Sequence, residues 1–426
     1  MNCLEVGADD YLDKSVDAVR FVPHVKGRSA SFPALVVALA RRRPPSACAT
    51  TWLSYPLFLL LFLGAGQSAP LLAQLTITPG AAALTVGGRV NVQYMRSSAD
   101  GDNGAADAVD DVLIRRARIS VDIKVGDVFD ARVAPGFSGG EAVKLADVYA
   151  RLNLARSFRV SAGQFKRAFS IFELSSSSDL PTIERDARIE GVSGCPGVGG
   201  VCTFSGLSKR LQFDARDLGL RAQGDLGTRV QYLATITNGE GKNTHDVNAS
   251  KSASGRVVMA LTDALRLAGF GGVHDYVGPD SATHHARAIG ADVEVGTWRE
   301  GFHLVAAVMA GDNWLVGTAA GFFSAQALAS VYIPLRPGGW FAAVEPLLRA
   351  GWTTTEAAAG CDLPIISAAC VEARAHRGTD YRALLFTPGI SLYVAGKNWV
   401  GLNLDWYDTN QAGSYWSLKA QAFVYF

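Results

Sequence analysis

The sequence predicts an all-β fold, a transmembrane antiparallel β-barrel of about sixteen strands. Three observations favour it. Segments of about ten residues alternate between apolar and polar side chains, short and long connections alternate along the chain, and the last segment ends on an aromatic residue. Lipid offers no hydrogen bonds, so a sheet that crosses a membrane must close on itself and leave no edge.

The final segment, 414–426, shows the alternation well. Its even-numbered positions from Trp416 to Phe426 are apolar, whereas Ser417, Lys419 and Gln421 occupy the other face. This period of two is typical of a strand with one apolar and one mixed face. We expect the apolar face to contact lipid, and Lys419 and Gln421 to point into the barrel.

The same alternation predicts the other strands in order. The first, from Leu84, sets Val86, Val90 and Val92 on one face against polar residues on the other, and a tight turn at Gly126-Asp127 separates the second and third. The longest irregular segment lies at 166–210. The sixteen predicted strands are 84–96, 116–125, 128–133, 145–155, 158–165, 212–224, 228–237, 256–262, 265–276, 286–297, 301–310, 321–334, 340–353, 382–394, 399–408 and 414–426.

The N-terminal region is not expected to join the barrel. Three arginines at 41–43 precede an apolar run at 57–63 and small residues at 64–66, an order typical of a secretory signal peptide. We interpret 41–73 as the signal peptide and 74–426 as the barrel. Residues 1–40 are an upstream extension, either a mis-assigned start or a genuine extended leader.

Composition and motifs exclude several classes of function. The formal net charge is +1, with no strongly basic face that would indicate a nucleic-acid partner. The chain has no phosphate-binding loop, dinucleotide fingerprint or metalloprotease helix, and its histidines are scattered. We therefore expect neither an enzyme nor a cofactor. A soluble β-sandwich or solenoid also alternates, but no fixed repeat period is present.

Several ordered motifs add a resemblance. The segment 163–170 (GQFKRAFS), continued by 175–179 and 182–185, resembles the phosphate-selective porin O and P family of Gram-negative outer membranes. The early hairpins of that family are similar to residues 112–119 and 146–153 of this chain. Its middle strands are similar to residues 215–219, 237–239 and 255–258. The matching landmarks span roughly 89–258, and the second half of the chain is supported by the strand pattern alone.

The resemblance implies a trimer in which a long third loop, after the fifth strand, folds into the lumen and forms the constriction. Phe426 would be the signal that outer-membrane assembly machinery reads. The acids of the constriction loop would be Glu173, Asp179 and Glu184. Candidate pore-lining, anion-binding residues are Lys166, Arg167, Arg185 and Arg188 of that loop, with Arg89, Arg116, Arg118, Lys124, Arg151, Arg159, Arg221 and Arg229 on or near strands.

A pore selects by size and by the charges that line it, so clustered arginines would favour anions. However, Asp122, Asp214, Asp292 and Glu294 interleave with the basic residues, and the serines at 175–178 provide no lysine. We predict passive conduction of small hydrophilic solutes with a preference for phosphate-like anions. The alternatives are a general or cation-tolerant porin and, from another class, a barrel used as a surface adhesin or hydrolase.

Four cysteines remain in the predicted barrel, as two close pairs. Cys195 and Cys202 lie in the third loop, and Cys361 and Cys370 follow Trp352. In an oxidising compartment two local disulfides are expected. A metal site is the alternative, although neither pair has the spacing of a zinc-binding motif.

Overall fold

The structure is a computed structural model that describes residues 75–77, 82–98, 108–137, 143–187, 203–278, 280–315, 320–356, 380–410 and 413–426. Within these ranges the chain forms strands and two short helices, α1 (Ile171–Leu174) and α2 (Phe204–Arg210). The strands are β1 (Leu75–Ile77), β2 (Ala82–Ser97), β3 (Asp110–Val125), β4 (Phe129–Phe137), β5 (Lys144–Ala155), β6 (Phe158–Lys166), β7 (Arg216–Leu226), β8 (Val230–Thr237), β9 (Ser252–Ala260), β10 (Leu265–Val277), β11 (Thr283–Thr297), β12 (Glu300–Asp312), β13 (Gly321–Val331), β14 (Ile333–Pro334), β15 (Ala343–Thr355), β16 (Tyr381–Ala395), β17 (Asn398–Thr409) and β18 (Gly413–Tyr425).

The strands form one closed antiparallel barrel. Each long strand pairs with the next along the chain, and β18 pairs with β2 to close the ring. The short β1 pairs with the start of β2, and β14 continues the ladder between β13 and β15 beyond Tyr332. Sixteen strands therefore make up the wall, as the sequence predicted.

The alternation of side chains separates the two faces of the wall. Along β16, Tyr381, Ala383 and Leu385 are buried, whereas Leu384 and Phe386 are exposed. In β18, Lys419 and Gln421 are buried and Trp416, Val424 and Phe426 are exposed. An outward apolar face with an inward polar face is the arrangement that a lipid-facing barrel requires.

The two ends of the barrel differ in the length of the connections between strands. The short-turn end carries 126–128, 156–157, 227–229, 261–264, 298–299, 335–342 and 396–397. The long-loop end carries 98–109, 138–143, 167–215, 238–251, 278–282, 313–320, 356–380 and 410–412. The alternation of long and short connections inferred from the sequence is thus present.

Several predicted strand bounds were inexact by a few residues, and two of these errors affect charges of the site. The predicted strand 212–224 begins only at Arg216, because residues 212–215 belong to the preceding irregular segment. The predicted strand 116–125 extends back to Asp110, through a shift of register between Asn91 and Val92 of β2 that leaves Arg115 as a bulge. Polar residues at 110–111 had hidden this extension.

Other predictions concern residues outside the described ranges. These are the upstream extension, the signal peptide, Arg188 and the four cysteines Cys195, Cys202, Cys361 and Cys370. Among the described residues, no helix is sufficiently long and apolar to cross a membrane.

The C-terminal residue takes part in closing the ring. The backbone N–H and C=O groups of Phe426 exchange hydrogen bonds with those of Gly88, at 3.0 and 2.7 Å. The Phe426 ring covers Gly88 so closely that a Cβ atom on residue 88 would lie 2.5 Å from ring atom Cζ and 2.9 Å from the Arg118 carbonyl oxygen. The seam thus needs glycine at this position.

We expect Gly88→Val to weaken the closed barrel, because the added side chain displaces the Phe426 ring and presses on the β3 backbone. The measurement is the temperature at which the folded band is lost in heat-modifiability electrophoresis. Gly255→Val is the control, since a Cβ there meets nothing nearer than 4.0 Å. Equal transition temperatures for both variants would contradict this account of the seam.

Candidate functional site

The connection between β6 and β7, residues 167–215, contains both helices and is called the β6–β7 segment below. The Ser170 hydroxyl accepts a hydrogen bond from the Glu173 amide at the start of α1. The Thr203 hydroxyl accepts one from the Gly206 amide at the start of α2, at 3.0 Å. Each cap satisfies a backbone donor that the helix itself leaves free.

The segment packs its apolar side chains against the inward face of the wall. Phe169, Phe204, Leu207 and Phe213 are fully buried. They belong to one cluster with inward residues of β10, β12, β13, β15 and β16, namely Phe270, Val305, Met309, Phe322, Leu347 and Leu385. The rings of Phe169 and Phe270 lie 4.7 Å apart in an edge-on contact.

A buried cluster of charged side chains contacts residues 184–187 of the β6–β7 segment. Arg349 of β15 and Lys419 of β18 both pair with Asp405 of β17, the Arg349 contact measuring 2.9 Å. All three side chains are at most 1% exposed. The same two cations also donate to backbone carbonyls of the segment, because Arg349 contacts Glu184 and Arg185 O at 2.8 Å and Lys419 contacts Ala187 O.

Glu184, one of the predicted constriction-loop acids, pairs with two neighbouring arginines. Its carboxylate lies 2.5 Å from Arg115 Nε and 3.3 Å from Arg116 Nη2. Consecutive residues of a regular strand point to opposite faces. Here the bulge at Arg115 brings both side chains to the inward face.

The remaining predicted residues of the segment are also tied to their surroundings. Arg185 pairs with Glu173 at 2.9 Å, and the Lys166 amine donates to the Glu173 and Ser175 carbonyls. Arg167, which is 1% exposed, donates to the Gln212 and Val273 carbonyls. Asp179 pairs with Arg299 and Lys397.

Asp214 is a buried carboxyl of the segment, and among the described residues no cation is in contact with it. Its Oδ2 accepts hydrogen bonds from Ser170 and Ser208, whereas no described residue contributes a hydrogen bond to its Oδ1. Burial, together with the nearby Glu173 carboxylate, raises the pKa of Asp214 to about 7, although the two serine hydroxyls act in the opposite direction.

The inward face of β2–β7 carries a set of arginines, called the basic wall below. Its members are Arg89, Arg116, Arg118, Arg132, Arg151, Arg159, Arg216 and Arg221. Arg89 and Arg118 are direct cross-strand partners, and so are Ser161 and Arg221. Arg221 also lies over the Tyr149 and Phe165 rings, at 4.8 and 4.7 Å.

Several members of the basic wall pair with carboxylates, as interleaved charges on neighbouring strands predict. Arg216 forms a two-pronged contact with Asp147, at 3.0 Å for both hydrogen bonds. The other four pairs are Arg116 with Glu184, Arg132 with Asp122, Arg151 with Asp130, and Arg159 with Asp225. Arg89, Arg118 and Arg221 form no ion pair with a carboxylate that the structure describes.

Two predicted residues lie away from this wall. Lys124 is 57% exposed and pairs with Asp127 in the β3–β4 turn. Arg229 lies in the β7–β8 turn, is exposed, and donates to the Leu261 carbonyl. The structure therefore brings six predicted residues together on the basic wall, namely Arg89, Arg116, Arg118, Arg151, Arg159 and Arg221, and leaves these two at the short-turn end. Lys166, Arg167 and Arg185 are bonded instead within or beside the β6–β7 segment.

Exposure differs among the charged pairs of the wall. In the basic wall, the side chains of Arg132 and Asp122 are 39% and 45% exposed. Arg349 on β15 and Asp405 on β17 are 1% exposed, and the β6–β7 segment contacts Arg349 through its backbone carbonyls. Water thus reaches the Arg132–Asp122 pair, whereas the Arg349–Asp405 pair is sealed.

Sequence reasoning missed several of these charges. Arg115 and Arg216 were omitted, the first because a bulge cannot be read from alternation. Alternation from Arg221 along the predicted strand puts residue 216 on the opposite face, so its inward contact with Asp147 was not visible in the pattern. Arg349 and Asp405 lay on predicted strands, but no local pattern shows that a charged residue will bind the β6–β7 segment rather than line the channel. The inward orientation of Lys419 was predicted correctly from the alternation of its strand.

Comparison with known proteins bears on identity. Residues 85–264 match the model of the family described as phosphate-selective porin O and P. The predicted family resemblance is confirmed. A search of curated proteins gave no match.

Solved structures share the porin fold at low sequence identity. The anion-selective porin from Comamonas acidovorans has a TM-score of 0.55 at 11% identity, with 81% of this chain and all of that chain covered. The outer membrane channel DcaP of Acinetobacter baumannii has a TM-score of 0.53 at 13% identity, covering 82% and 99%. OmpT of Vibrio cholerae has a TM-score of 0.50 at 10% identity, covering 82% and 99%. Family and fold together support an outer-membrane channel.

We expect Asp405→Asn to destabilise the barrel by about 3–5 kcal/mol, because it leaves two buried cations without their anion. The measurement is the urea midpoint of unfolding from lipid vesicles. Asp122→Asn removes a half-exposed partner and serves as the control, with an expected loss below about 1 kcal/mol. Equal losses in both variants would contradict the difference in burial.

Asp214 predicts a pH dependence with a definite sign. The ordinary pKa of an aspartate is 3.8, so between pH 4 and about pH 7 the folded state holds a proton that the unfolded state has released. Stability therefore falls as pH rises through this window and is constant above it. Relative to the wild type, Asp214→Asn should gain stability from pH 4 to 7, measured as the free energy of unfolding. Parallel pH profiles would contradict this.

Proposed function

We propose that the chain is an outer-membrane porin that passively conducts small hydrophilic solutes with a preference for anions. Family and fold support an outer-membrane channel, and the proposal adds the sign of its charge selectivity. The observation that carries it is the basic wall of β2–β7, in which three arginines have no carboxylate partner among the described residues.

The arrangement of Arg89 and Arg118 is the first argument for anions. These residues are directly opposite each other on β2 and β3, and like charges in that position destabilise a sheet. The nearest compensation described for Arg89 is a neutral one, a hydrogen bond of 2.6 Å to the Ser177 hydroxyl. Unpaired like charges of this kind raise the local concentration of anions.

The second argument concerns where water can pass. The β6–β7 segment packs its apolar side chains mainly on β10–β16, and partly exposed charges lie on β3 and β4. We infer that the segment lies within the lumen as the constriction, and that the open passage runs between it and the basic wall. Passing solutes would then meet Arg116, Arg118, Arg151 and Arg221 directly.

The described carboxylates favour the general-porin alternative only weakly. Asp122, Asp130, Asp147 and Asp225 line the same wall, but each pairs with an arginine. Paired acids present little net field to a solute, whereas the three unpaired arginines do. The descriptions of the matched family as phosphate-selective and of one fold neighbour as anion-selective agree with this sign.

The remaining parts of the proposal follow the sequence pattern and, for the trimer and the assembly signal, the family resemblance. Residues 41–73 act as the signal peptide, the outward apolar face contacts outer-membrane lipid, and Phe426 is read by the assembly machinery. The two cysteine pairs form local disulfides, and the working unit is a homotrimer. No cofactor takes part.

Planar-bilayer recording under a salt gradient tests the selectivity. We expect the wild-type reversal potential to have the sign that indicates anion selectivity. We expect the triple variant R89Q/R118Q/R221Q to lower the ratio of anion to cation permeability by about threefold or more. Its measurement is the shift in reversal potential.

The matched control is R229Q/R287Q/R382Q, which removes the same charge from exposed arginines at a turn or on outward-facing positions. It should leave the reversal potential unchanged. Absence of wild-type conductance would overturn the channel, and a wild-type potential of cationic sign would overturn the anion preference.

A further inference from the structure

The β6–β7 segment leaves the wall at one end of the barrel and makes ionic contacts at the other. It follows Lys166 at the long-loop end. Its residue Asp179, however, contacts Arg299 in the β11–β12 turn and Lys397 in the β16–β17 turn. Both turns belong to the short-turn end, so the segment extends from one end of the barrel to the other.

The contacts of Asp179 form a compact tether. Its Oδ1 lies 2.7 Å from Arg299 Nη2 and 2.7 Å from Lys397 Nζ. Arg299 Nη1 also donates to the Ser178 carbonyl at 3.1 Å. The two turns are separated by strands β12–β16 around the ring, so a single carboxylate joins two distant parts of the rim.

The backbone conformation of Arg299 orients its side chain towards the tether. Its φ angle is +64°, in the left-handed region that residues other than glycine seldom adopt. A residue held in this region costs free energy and persists only where its surroundings determine it. Here the turn directs the guanidinium towards the Asp179 carboxylate and the Ser178 carbonyl.

Neighbouring residues stabilise the same tip. The Asp179 amide donates to the Ser176 carbonyl at 3.0 Å, which closes a turn. On either side of Asp179, the Ser177 hydroxyl accepts from Arg89 at 2.6 Å and the Pro181 carbonyl accepts from the Ser391 hydroxyl at 3.2 Å. Only the contacts of Asp179 are ionic among those described here for residues 176–181.

We propose that Asp179 is the positioning residue that fixes the tip of the β6–β7 segment at the short-turn end and thereby sets the width of the channel there. Release of the tether lets residues 176–181 move away from the rim and widens the exit. The part of this proposal that concerns width rests on the proposed channel function, whereas the tether itself does not.

The charges of the tether give it a distinctive sensitivity to salt. The side chains of Asp179, Arg299 and Lys397 are 27%, 20% and 36% exposed, so their attraction is partly screened by ions. Burial would raise the pKa of Asp179, but hydrogen bonds from Arg299 and Lys397 outweigh this and hold its pKa below the usual range. The carboxylate is therefore charged at neutral pH.

Hydrogen–deuterium exchange on the full chain in lipid vesicles tests the tether without any conductance measurement. We expect the amides of 177–180 to exchange about tenfold or more faster in Asp179→Asn than in the wild type. The matched control is Asp127→Asn, which makes the same charge change in another turn of the short-turn end, where the side chain is 98% exposed. It should leave these amides unchanged.

Two further comparisons separate a tether from a general loss of structure. Arg299→Gln combined with Lys397→Gln should reproduce the faster exchange, and adding Asp179→Asn to that pair should increase it no further. Asp179→Glu should restore part of the protection. Raising the salt from 0.1 M to about 1 M should accelerate exchange in the wild type but not in Asp179→Asn.

Unchanged exchange in Asp179→Asn, or full additivity of the three substitutions, would overturn the tether. In planar bilayers Asp179→Asn should give larger conductance steps than the wild type and than Asp127→Asn. Faster exchange with unchanged conductance would overturn the role in channel width. If the wild type does not conduct, the proposed function fails, and the exchange result still decides the tether.

Discussion

The closure of the hydrogen-bonded ladder is the constraint on which the rest of this structure depends. A strand edge left open in lipid would carry unpaired N–H and C=O groups at several kcal/mol each. Pairing of β18 with β2, completed by the mutual backbone hydrogen bonds of Phe426 and Gly88, removes that edge. Once the ring is closed, alternation along each strand determines which side chains face inward.

The closed ring also provides the inward surface on which the β6–β7 segment packs. A ring of sixteen strands leaves room for an aqueous channel. Apolar contacts join Phe169 and Phe213 of the segment to the inward residues of β10–β16. The segment is further held by the buried cations Arg349 and Lys419, which donate to its carbonyls. The Arg132–Asp122 pair of the basic wall remains accessible to water.

Much of the fold was predictable because it depends on local patterns. The number of strands, the alternation of long and short connections, and the orientation of Lys419 follow from a period of two that every strand must keep. The exceptions are instructive. Arg115 was missed because a bulge reverses the phase at a single residue. The strand that carries Arg216 was predicted to begin at 212 because residues 212–215 alternate like a strand, although they end the β6–β7 segment.

The sequence by itself determined the barrel class, the candidate basic residues and the position of the long segment after the fifth wall strand, because these depend on periodicity and motif. The tertiary structure decided which charges pair. Asp405 meets Arg349 and Lys419, and Asp179 meets Arg299 and Lys397, across separations of 56 and 14 residues and of 120 and 218 residues. Such partners are set by the register of the closed ring and by the contacts of the segment with it, which no local pattern encodes.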